Sequence, residues 1–368
     1  MKNILVTGGS GFIGSHTCLN ILNKGYKVIV LDSSINSSTR SLEMVLKVGL
    51  TEGKDFYNQL YFVKGDIRDE IFIERVFKNF QKFNMNIDAV IHFAGLKSVS
   101  QSLKDPLLYW DNNVIGSINL FKSMQRNNCN TIVFSSSATI YGLNNNQPLN
   151  ENSIKNPINP YGETKFVIEK ILKSIYSGYE NNWRIANLRY FNPIGAHSTG
   201  LLGEDLINPP NNIFPIICQV AIGLREKMRI FGSDWPTPDG TCIRDYVHIM
   251  DLAEAHTRTL EFLFSGNPQT IDLNIGTGKG TSVLNLIKTF ERTNNCKINY
   301  KFTERRLGDA SEVVANNELA FKLLNWAPKR TLSEMCIDGW KWTKLNPKGY
   351  ENKSNFKKDK SLKIIELG

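Results

Sequence analysis

A doubly wound parallel α/β sheet, followed by a smaller loop-rich portion, is the fold this chain predicts, on three observations. Short β-branched runs alternate with amphipathic stretches through the first half. Those runs are apolar throughout, as strands are when helices cover both faces of their sheet. A glycine-rich string follows the first run and opens the first helical stretch. The predicted strands are Asn3–Thr7, Lys27–Leu31, Leu60–Lys64, Asp88–Phe93, Thr131–Ser135 and Arg184–Leu188. Between them, apolar residues recur at helical spacing over Ile13–Asn23, Ile71–Phe83, Val114–Arg126 and Tyr161–Tyr176. Repeated units of this length build a parallel sheet with helices on both sides, a Rossmann-type arrangement.

After Tyr190 the texture changes. Pro193, Pro209, Pro210, Pro215, Pro236 and Pro238 punctuate a stretch rich in Gly and Asn. Residues 1–190 are expected to form the nucleotide-binding domain, 191–345 a substrate domain, and 346–368 a loosely ordered basic tail. Thr270–Asn274 reads as a strand that returns to the main sheet, so the two domains interleave. The stretch Ser41–Tyr57 reads as irregular.

Bulk properties exclude several functions. With 41% hydrophobic and 21% charged residues, 368 residues suit an ordinary globular protein of one large or two modest domains. The apolar run after Met1 is short and no run of membrane-spanning length occurs, so a soluble, cytoplasmic protein is expected. Six scattered cysteines without Cys-x-x-Cys or nearby His pairs fit free thiols in a reducing compartment and no zinc site. The net charge of +9 owes much to Lys353, Lys357, Lys358, Lys360 and Lys363. A solvated tail accounts for these better than a nucleic-acid interface does.

The glycine string has a chemical reading. Gly8, Gly11 and Gly14 lie between a strand and a helix, where glycine permits a tight turn and brings a pyrophosphate close to backbone N–H groups. The second strand ends in Asp32, which can accept from ribose hydroxyls and would repel a 2′-phosphate, so NAD is expected over NADP. Gly65-Asp66-Ile67 follows the third strand, where Asp66 can meet an adenine amino group or simply cap a helix. Phe93-Ala94-Gly95-Leu96-Lys97 ends the fourth, where small residues let a cofactor cross the sheet edge and Lys97 is otherwise a solvated charge.

Tyr161 and Lys165 add a reaction. Residues at i and i+4 share a helix face, so an ammonium stands beside a phenol and is expected to lower its pKa from about 10. Such a tyrosine accepts a proton from an alcohol while hydride leaves the same carbon. The pair gains meaning from the nucleotide site and from Ser135-Ser136-Ser137 upstream; alone it is a common helical coincidence.

TGGSGFIGS, HFAGLKSV, SSSATIYG, PYGETK and LRYFNPIGAH, in this order, resemble the extended short-chain dehydrogenase/reductase superfamily. HFAGLK, YFNPIGAH, PPNN and DGTCIRDYVHIMDLA resemble the UDP-glucose 4-epimerase (UDP-galactose 4-epimerase) family within it, over Met1 to about Trp342. The resemblance implies Ser137, Tyr161 and Lys165 as the catalytic set, inverting C4′ of a UDP-hexose through a 4-keto sugar with tightly bound NAD. It implies cofactor contacts from Phe12, Ile13, Asp32, Asn36, Asp66, Ile67, Phe93, Lys97, Asn112 and Phe191. For the nucleotide sugar it implies Asn192, Asn212, Arg229, Phe231, Arg244, Arg306 and Asp309, with Lys97, Ser137 and Tyr161 also in reach. It further implies a homodimer built on a four-helix bundle from Val114–Arg126 and Tyr161–Tyr176, although the apolar positions of both helices can equally face the sheet.

Rival readings stay open here. A nucleotide-sugar dehydratase needs an acid after the catalytic serine, where this chain has Ala138-Thr139. An epimerase of another nucleotide sugar, such as UDP-glucuronate, is the nearer alternative, and a catalytically silent NAD-binding scaffold the more distant one. Val313 stands where some epimerases carry a bulky tyrosine, which implies room for a 2-acetamido group and turnover of UDP-GlcNAc and UDP-GalNAc.

Overall fold

The computed structural model describes residues 1–143, 146–179, 182–205, 210, 212–306, 308–350 and 362–367. Strand and helix alternate from the start: β1 (Asn3–Thr7), α1 (Phe12–Asn23), β2 (Lys27–Asp32), α2 (Arg40–Thr51), β3 (Leu60–Lys64), α3 (Glu70–Lys82) and β4 (Ile87–His92). Two short helices, α4 (Val99–Lys104) and α5 (Pro106–Tyr109), run through a π-helical turn at Trp110–Ile115 into α6 (Gly116–Arg126). Then come β5 (Thr131–Ser137), a 3-10 turn at Ala138–Tyr141, α7 (Pro160–Gly178) and β6 (Arg184–Tyr190).

The remainder holds β7 (Asn192–Ile194), α8 (Ile213–Ala221), β8 (Met228–Phe231), β9 (Ile243–His248), α9 (Ile249–Ser265) and β10 (Gln269–Ile275). It continues with β11 (Gly280–Ser282), α10 (Val283–Asn294), β12 (Tyr300–Thr303), β13 (Glu312–Val313), α11 (Glu318–Leu324), α12 (Leu332–Leu345) and β14 (Lys363–Ile364).

Eight strands form one sheet in the order β10-β6-β5-β4-β1-β2-β3-β14, and every pairing in it is parallel. Side chains alternate across it with period two. Ile4, Val6, Val28, Val30, Ala89, Ile91 and Val133 join the core shared with α1, α2 and α9. Leu5, Ile29, Leu31, Val90, Ile132 and Phe134 join the opposite core with α3, α6 and α7. Strand order reverses between β1 and β4, so their carboxyl ends open the crevice where ligands bind in such sheets. A four-stranded sheet (β7, β9, β11, β13) and a two-stranded one (β8, β12) lie in the later part of the chain.

β10 pairs with β6 from Gln269 to Ile275 and so returns to the main sheet. The stretch expected to be irregular instead holds α2, whose Leu42, Val45, Leu46 and Val48 are buried. The basic tail also differs from expectation at its end: Lys363 and Ile364 pair with Tyr61 and Phe62, so β14 covers the open edge of β3. Lys353, Lys357, Lys358 and Lys360 lie outside the described residues. Among the described residues no helix is long and apolar enough to cross a membrane. All six cysteines are free, and no group of three or more His, Cys, Asp or Glu side chains among the described residues could hold a metal ion.

Candidate active site

Local sequence fixes the helix that carries Tyr161 and Lys165. Asn159 caps α7 by accepting from Gly162 N at 2.9 Å, and Pro160 takes the first helical position. A side chain at Gly162 would come within 3.0 Å of Thr139 O, so glycine lets the helix start pack on the 3-10 turn that follows β5. That packing brings Ser137, at the end of β5, close to the Tyr161 phenol, where its hydroxyl favours the ionised form. Ser137 Oγ in turn accepts from Thr139 Oγ1 at 3.0 Å and from Thr139 N at 3.3 Å. With its lone pairs so engaged, the proton of the Ser137 hydroxyl remains for donation.

Lys165 is 4% exposed and donates from Nζ to Ser135 O at 2.8 Å. Its Nζ stands 5.9 Å from the Tyr161 ring centre and 4.9 Å from that of Phe134. Burial pushes the ammonium down to about 7. Tyr161 moves the opposite way from the sequence expectation: burial pushes the phenol up to about 12, against the lowering effect of the nearby Ser137 hydroxyl. The four-residue step does set the ammonium near the ring, but desolvation, which both groups share, decides the direction.

The glycine loop opens α1 beneath this pair. Gly8 has φ +71°, and a Cβ there would meet Ala94 N at 2.6 Å. At Gly14 a Cβ would meet Gly8 O at 2.4 Å. The helix, the loop and the end of β4 therefore approach as only glycine permits. Gly11 is the N-cap of α1, without a side-chain cap, and Phe12 and Ile13 pack at the edge of the core. Asp32 is 7% exposed and accepts from Ser10 N, Ser34 N and Ser37 Oγ at 2.8–3.0 Å. Beside it, Ser10 Oγ and Ser34 Oγ are buried without a hydrogen-bond partner among the described residues. Unsatisfied buried hydroxyls at a carboxylate suit the ribose hydroxyls of a dinucleotide, so the residues present fit NAD.

Asn36 is exposed on the loop after β2, and Ile67 is buried against Gly116. Asp66 is less free than expected, because Arg68 binds it at 2.7 Å and holds its carboxyl below the usual range. Arg68 also reaches Asp111 at 3.0 Å. Phe93 stacks on His256 with ring centres 4.8 Å apart. Gly95 has φ +158°, and Lys97 pairs with Glu204 at 3.2 Å. Asn112 sits in the π-helical turn and Phe191 is 7% exposed just past β6.

Sequence reasoning missed Asn113, next to Asn112. It is 1% exposed, and its amide accepts from Leu96 N at 2.8 Å and donates to Leu96 O and Thr164 Oγ1 at 3.1 Å. It thus ties the Gly95–Lys97 loop to α7. The π-helical turn that presents it is the kind of irregularity found at functional sites, and no local sequence signal announces it.

The expected nucleotide-sugar residues gather only in part. Asp309 accepts from Arg306 at 3.0 and 3.1 Å and pairs with Arg244 at 3.5 Å. The Arg306 guanidinium lies 5.3 Å from the Phe231 ring centre. Arg229 shares the exposed face of β8 with Phe231. Val313 pairs with Arg244 across β13 and β9, and it packs in one cluster with Ala138, Phe166 and Phe191. A Cβ on Gly308 would come 3.2 Å from Ile158, just before α7. The arginine cluster therefore stands beside the segment that leads into α7. Asn192 pairs with Tyr246 in the neighbouring sheet, and Asn212 is exposed at the start of α8; among the described residues no hydrogen bond or ion pair joins either to the cluster.

Known proteins share this arrangement. From residue 5 to 338 the chain matches the family described as GDP-mannose 4,6 dehydratase. It is 46% identical over 353 residues to a bifunctional UDP-glucose 4-epimerase and UDP-xylose 4-epimerase of Arabidopsis thaliana, covering 96% of this chain and 98% of that one. The UDP-glucose 4-epimerase of Bacillus subtilis is 44% identical over 349 residues, covering 95% and 99%. The chain belongs to the UDP-glucose 4-epimerase family.

A solved UDP-glucose-4-epimerase from Stenotrophomonas maltophila, with bound NAD and formylated UDP-arabinopyranose, superposes with a TM-score of 0.88 at 41% identity. It covers 94% of this chain and 99% of its own. The epimerase from Bifidobacterium longum, in complex with NAD+ and UDP, gives 0.86 at 40% identity and covers 95% and 100%. The family description named for a dehydratase is the broader one. Where a dehydratase needs its acid, this chain has Ala138 and Thr139, and Thr139 serves Ser137 as a hydrogen-bond donor.

Proposed function

We propose that the protein interconverts UDP-glucose and UDP-galactose by inversion at C4′ with NAD as resident cofactor. The carrying observation is the placement of Ser137, Tyr161 and Lys165 between a glycine cradle that fits a dinucleotide and an arginine cluster that fits a diphosphate. Gly8, Gly11 and Gly14 would face the pyrophosphate of NAD, with Asp32 at its ribose and Lys165 at the nicotinamide end. The chemistry supplied by NAD, when bound, is reversible hydride acceptance at C4′, together with positive charge beside the phenol.

The chain's own residues do the rest. Tyr161 takes the 4′-hydroxyl proton through Ser137 and gives it back, so the phenol ends each turnover as it began. Positive charge near Tyr161 opposes the desolvation that holds its pKa high. Arg229, Arg244 and Arg306 would hold the UDP diphosphate by charge-assisted bonds, with Asp309 keeping two of the arginines in place. Anchoring at the diphosphate leaves the 4-keto sugar free to present its other face.

The test is a coupled assay of UDP-galactose turnover on purified protein with its retained NAD measured by absorbance. Tyr161→Phe is expected to lower kcat by about 10²–10⁴-fold with NAD still bound. Wild-type turnover surviving in Tyr161→Phe would sink the assignment.

A second substrate pair rests on Val313. This small side chain lines the cluster beside Ala138 and Phe191, and the UDP-Glc/GlcNAc 4-epimerase of Campylobacter jejuni superposes with a TM-score of 0.78 at 30% identity. Room for a 2-acetamido group predicts turnover of UDP-GalNAc as well. Running UDP-galactose, UDP-GalNAc and UDP-galacturonate side by side decides it; no N-acetyl turnover removes this extension, and preference for the uronate replaces the main reading.

The remaining assignments belong to the same proposal. The chain divides near residue 190 into a cofactor and a substrate domain, acts in the cytoplasm, and assembles as a homodimer through helices around α6 and α7.

A further inference from the structure

The stripe carrying Tyr161 and Lys165 continues at the same four-residue step to Glu169, which is 6% exposed. Glu169 Oε1 accepts from Ser136 Oγ at 2.5 Å and from Arg189 Nε at 3.0 Å, and its Oε2 accepts from Arg189 Nη2 at 2.7 Å. Arg189, on β6, is 1% exposed. Its other hydrogen bonds go to Tyr141 Oη, Glu151 O and Asp272 Oδ2, at 3.0, 2.9 and 2.6 Å. Three consecutive turns of α7 thus meet three consecutive residues of β5: Lys165 is bonded to the Ser135 carbonyl, Glu169 to Ser136, and the Tyr161 phenol lies by Ser137.

A buried ion pair is a poor way to gain stability, since desolvating two ions offsets their attraction and apolar replacements often do as well. What a bidentate guanidinium–carboxylate pair supplies is orientation, because the planar fork fits in one geometry. At this place the orientation it sets is that of α7 against β5 and β6. A misplacement on the order of 1 Å at a reacting group can cost about 10²-fold in rate.

We infer that Ser136, Glu169 and Arg189 are positioning residues, which hold α7 in register with β5 so that the Tyr161 phenol meets the Ser137 hydroxyl. The inference rests on the assignment of Ser137, Tyr161 and Lys165 to proton handling. Other titratable groups facing this ladder are His92, Tyr109, Tyr141, Glu151, Lys155, Tyr190 and Asp272.

The test compares wild type with Ser136→Ala and Glu169→Gln, following kcat, KM, the acidic limb of the kcat–pH profile and NAD per subunit. Tyrosinate absorbance, titrated with Tyr161→Phe as the subtracted reference, reads the phenol without turnover. We expect kcat to fall severalfold in Ser136→Ala and roughly ten- to hundredfold in Glu169→Gln, with NAD content unchanged and KM within about twofold. In both variants the limb and the titration move to higher pH, because the Tyr161 phenol moves away from the Ser137 hydroxyl that favours its ionised form.

Removing the Glu169 charge by itself would leave Arg189 in excess and move both to lower pH, and that result overturns the inference. So does a wild-type limb in Ser136→Ala, which alters no charge and decides alone should Glu169→Gln not fold. A fall in kcat matched by lost NAD or lost folded protein, with the limb unmoved, also overturns it. A wild type without UDP-hexose turnover sinks the epimerase reading, and the absorbance titration then still decides this one.

Discussion

Lys165 shows what the site costs the fold. Burial against Phe134 and Ser135, with no ion-pair partner among the described residues, pushes its ammonium down to about 7. An unfolded lysine titrates near 10.4. Between those values the unfolded chain holds a proton that the folded chain has given up, so stability from this residue rises with pH across the window. Below about 7 the cost is present in full. Lys165→Met should therefore raise Tm most below neutral pH, with the gain shrinking as pH approaches 10, while kcat falls by about 10²–10⁴-fold. Calorimetry at a series of pH values checks the slope; a pH-independent change would mean that the lysine is not the titrating group. Tyr161 has the opposite sign: with its pKa pushed up to about 12, it contributes stability below its unfolded value near 10 that is lost above it.

At the scale of elements, what was legible in the sequence followed from local pattern, and what was not depended on distant contacts. The strands of the main sheet read as apolar runs because both their faces are buried, and the glycine loop, Asp32 and the Tyr161–Lys165 step read from spacing alone. α2 escaped because Thr39 makes no capping bond and Gly49 interrupts the pattern. That glycine admits the Phe56 ring, which a Cβ would meet at 2.5 Å. The Arg68 partner of Asp66 was not legible, because it is fixed by the turn after β3, which the sequence does not display. β14 has no local signal, since a two-residue strand near a lysine-rich stretch forms only because β3 offers an unpaired edge. Ile365 N bonds Phe62 O at 2.8 Å, Lys363 Nζ reaches Asn58 at 2.7 Å, and Leu362 is 7% exposed in the core shared with α1 and α2. Leu362→Ala is accordingly expected to lower unfolding stability by about 2–3 kcal/mol with kcat unchanged, as read by urea titration and assay. A midpoint like that of wild type would show that this segment adds nothing to the sheet.

At the scale of the whole molecule, the question is which face meets a second copy. The apolar positions of α6 and α7 face inward: Leu120, Phe121, Met124, Ile168 and Leu172 are buried under the sheet, with Ile118, Ile171 and Ile175 packed against them, while Phe166 joins the cluster at Phe191. The five buried ones are spent within the subunit, which leaves the half-buried Ile118, Ile171 and Ile175 for a bundle between subunits. A different surface remains, since Val99, Leu103, Leu107 and Ile115 are 39%, 63%, 78% and 50% exposed on α4, α5 and the π-helical turn. Single exposed apolar residues are ordinary, but four within one short segment, on helices that pack against α7, make a patch of the kind that marks an interface. If a homodimer forms, this patch lies in it, next to the helix that carries Tyr161 and Lys165. Light scattering should then give about twice the chain mass of 41.7 kDa for wild type, and the chain mass itself for Leu103→Glu/Leu107→Glu, whose like charges would oppose each other across a two-fold axis. A dimer that survives both glutamates would place the interface elsewhere, and a monomeric wild type would remove the dimer from the proposal.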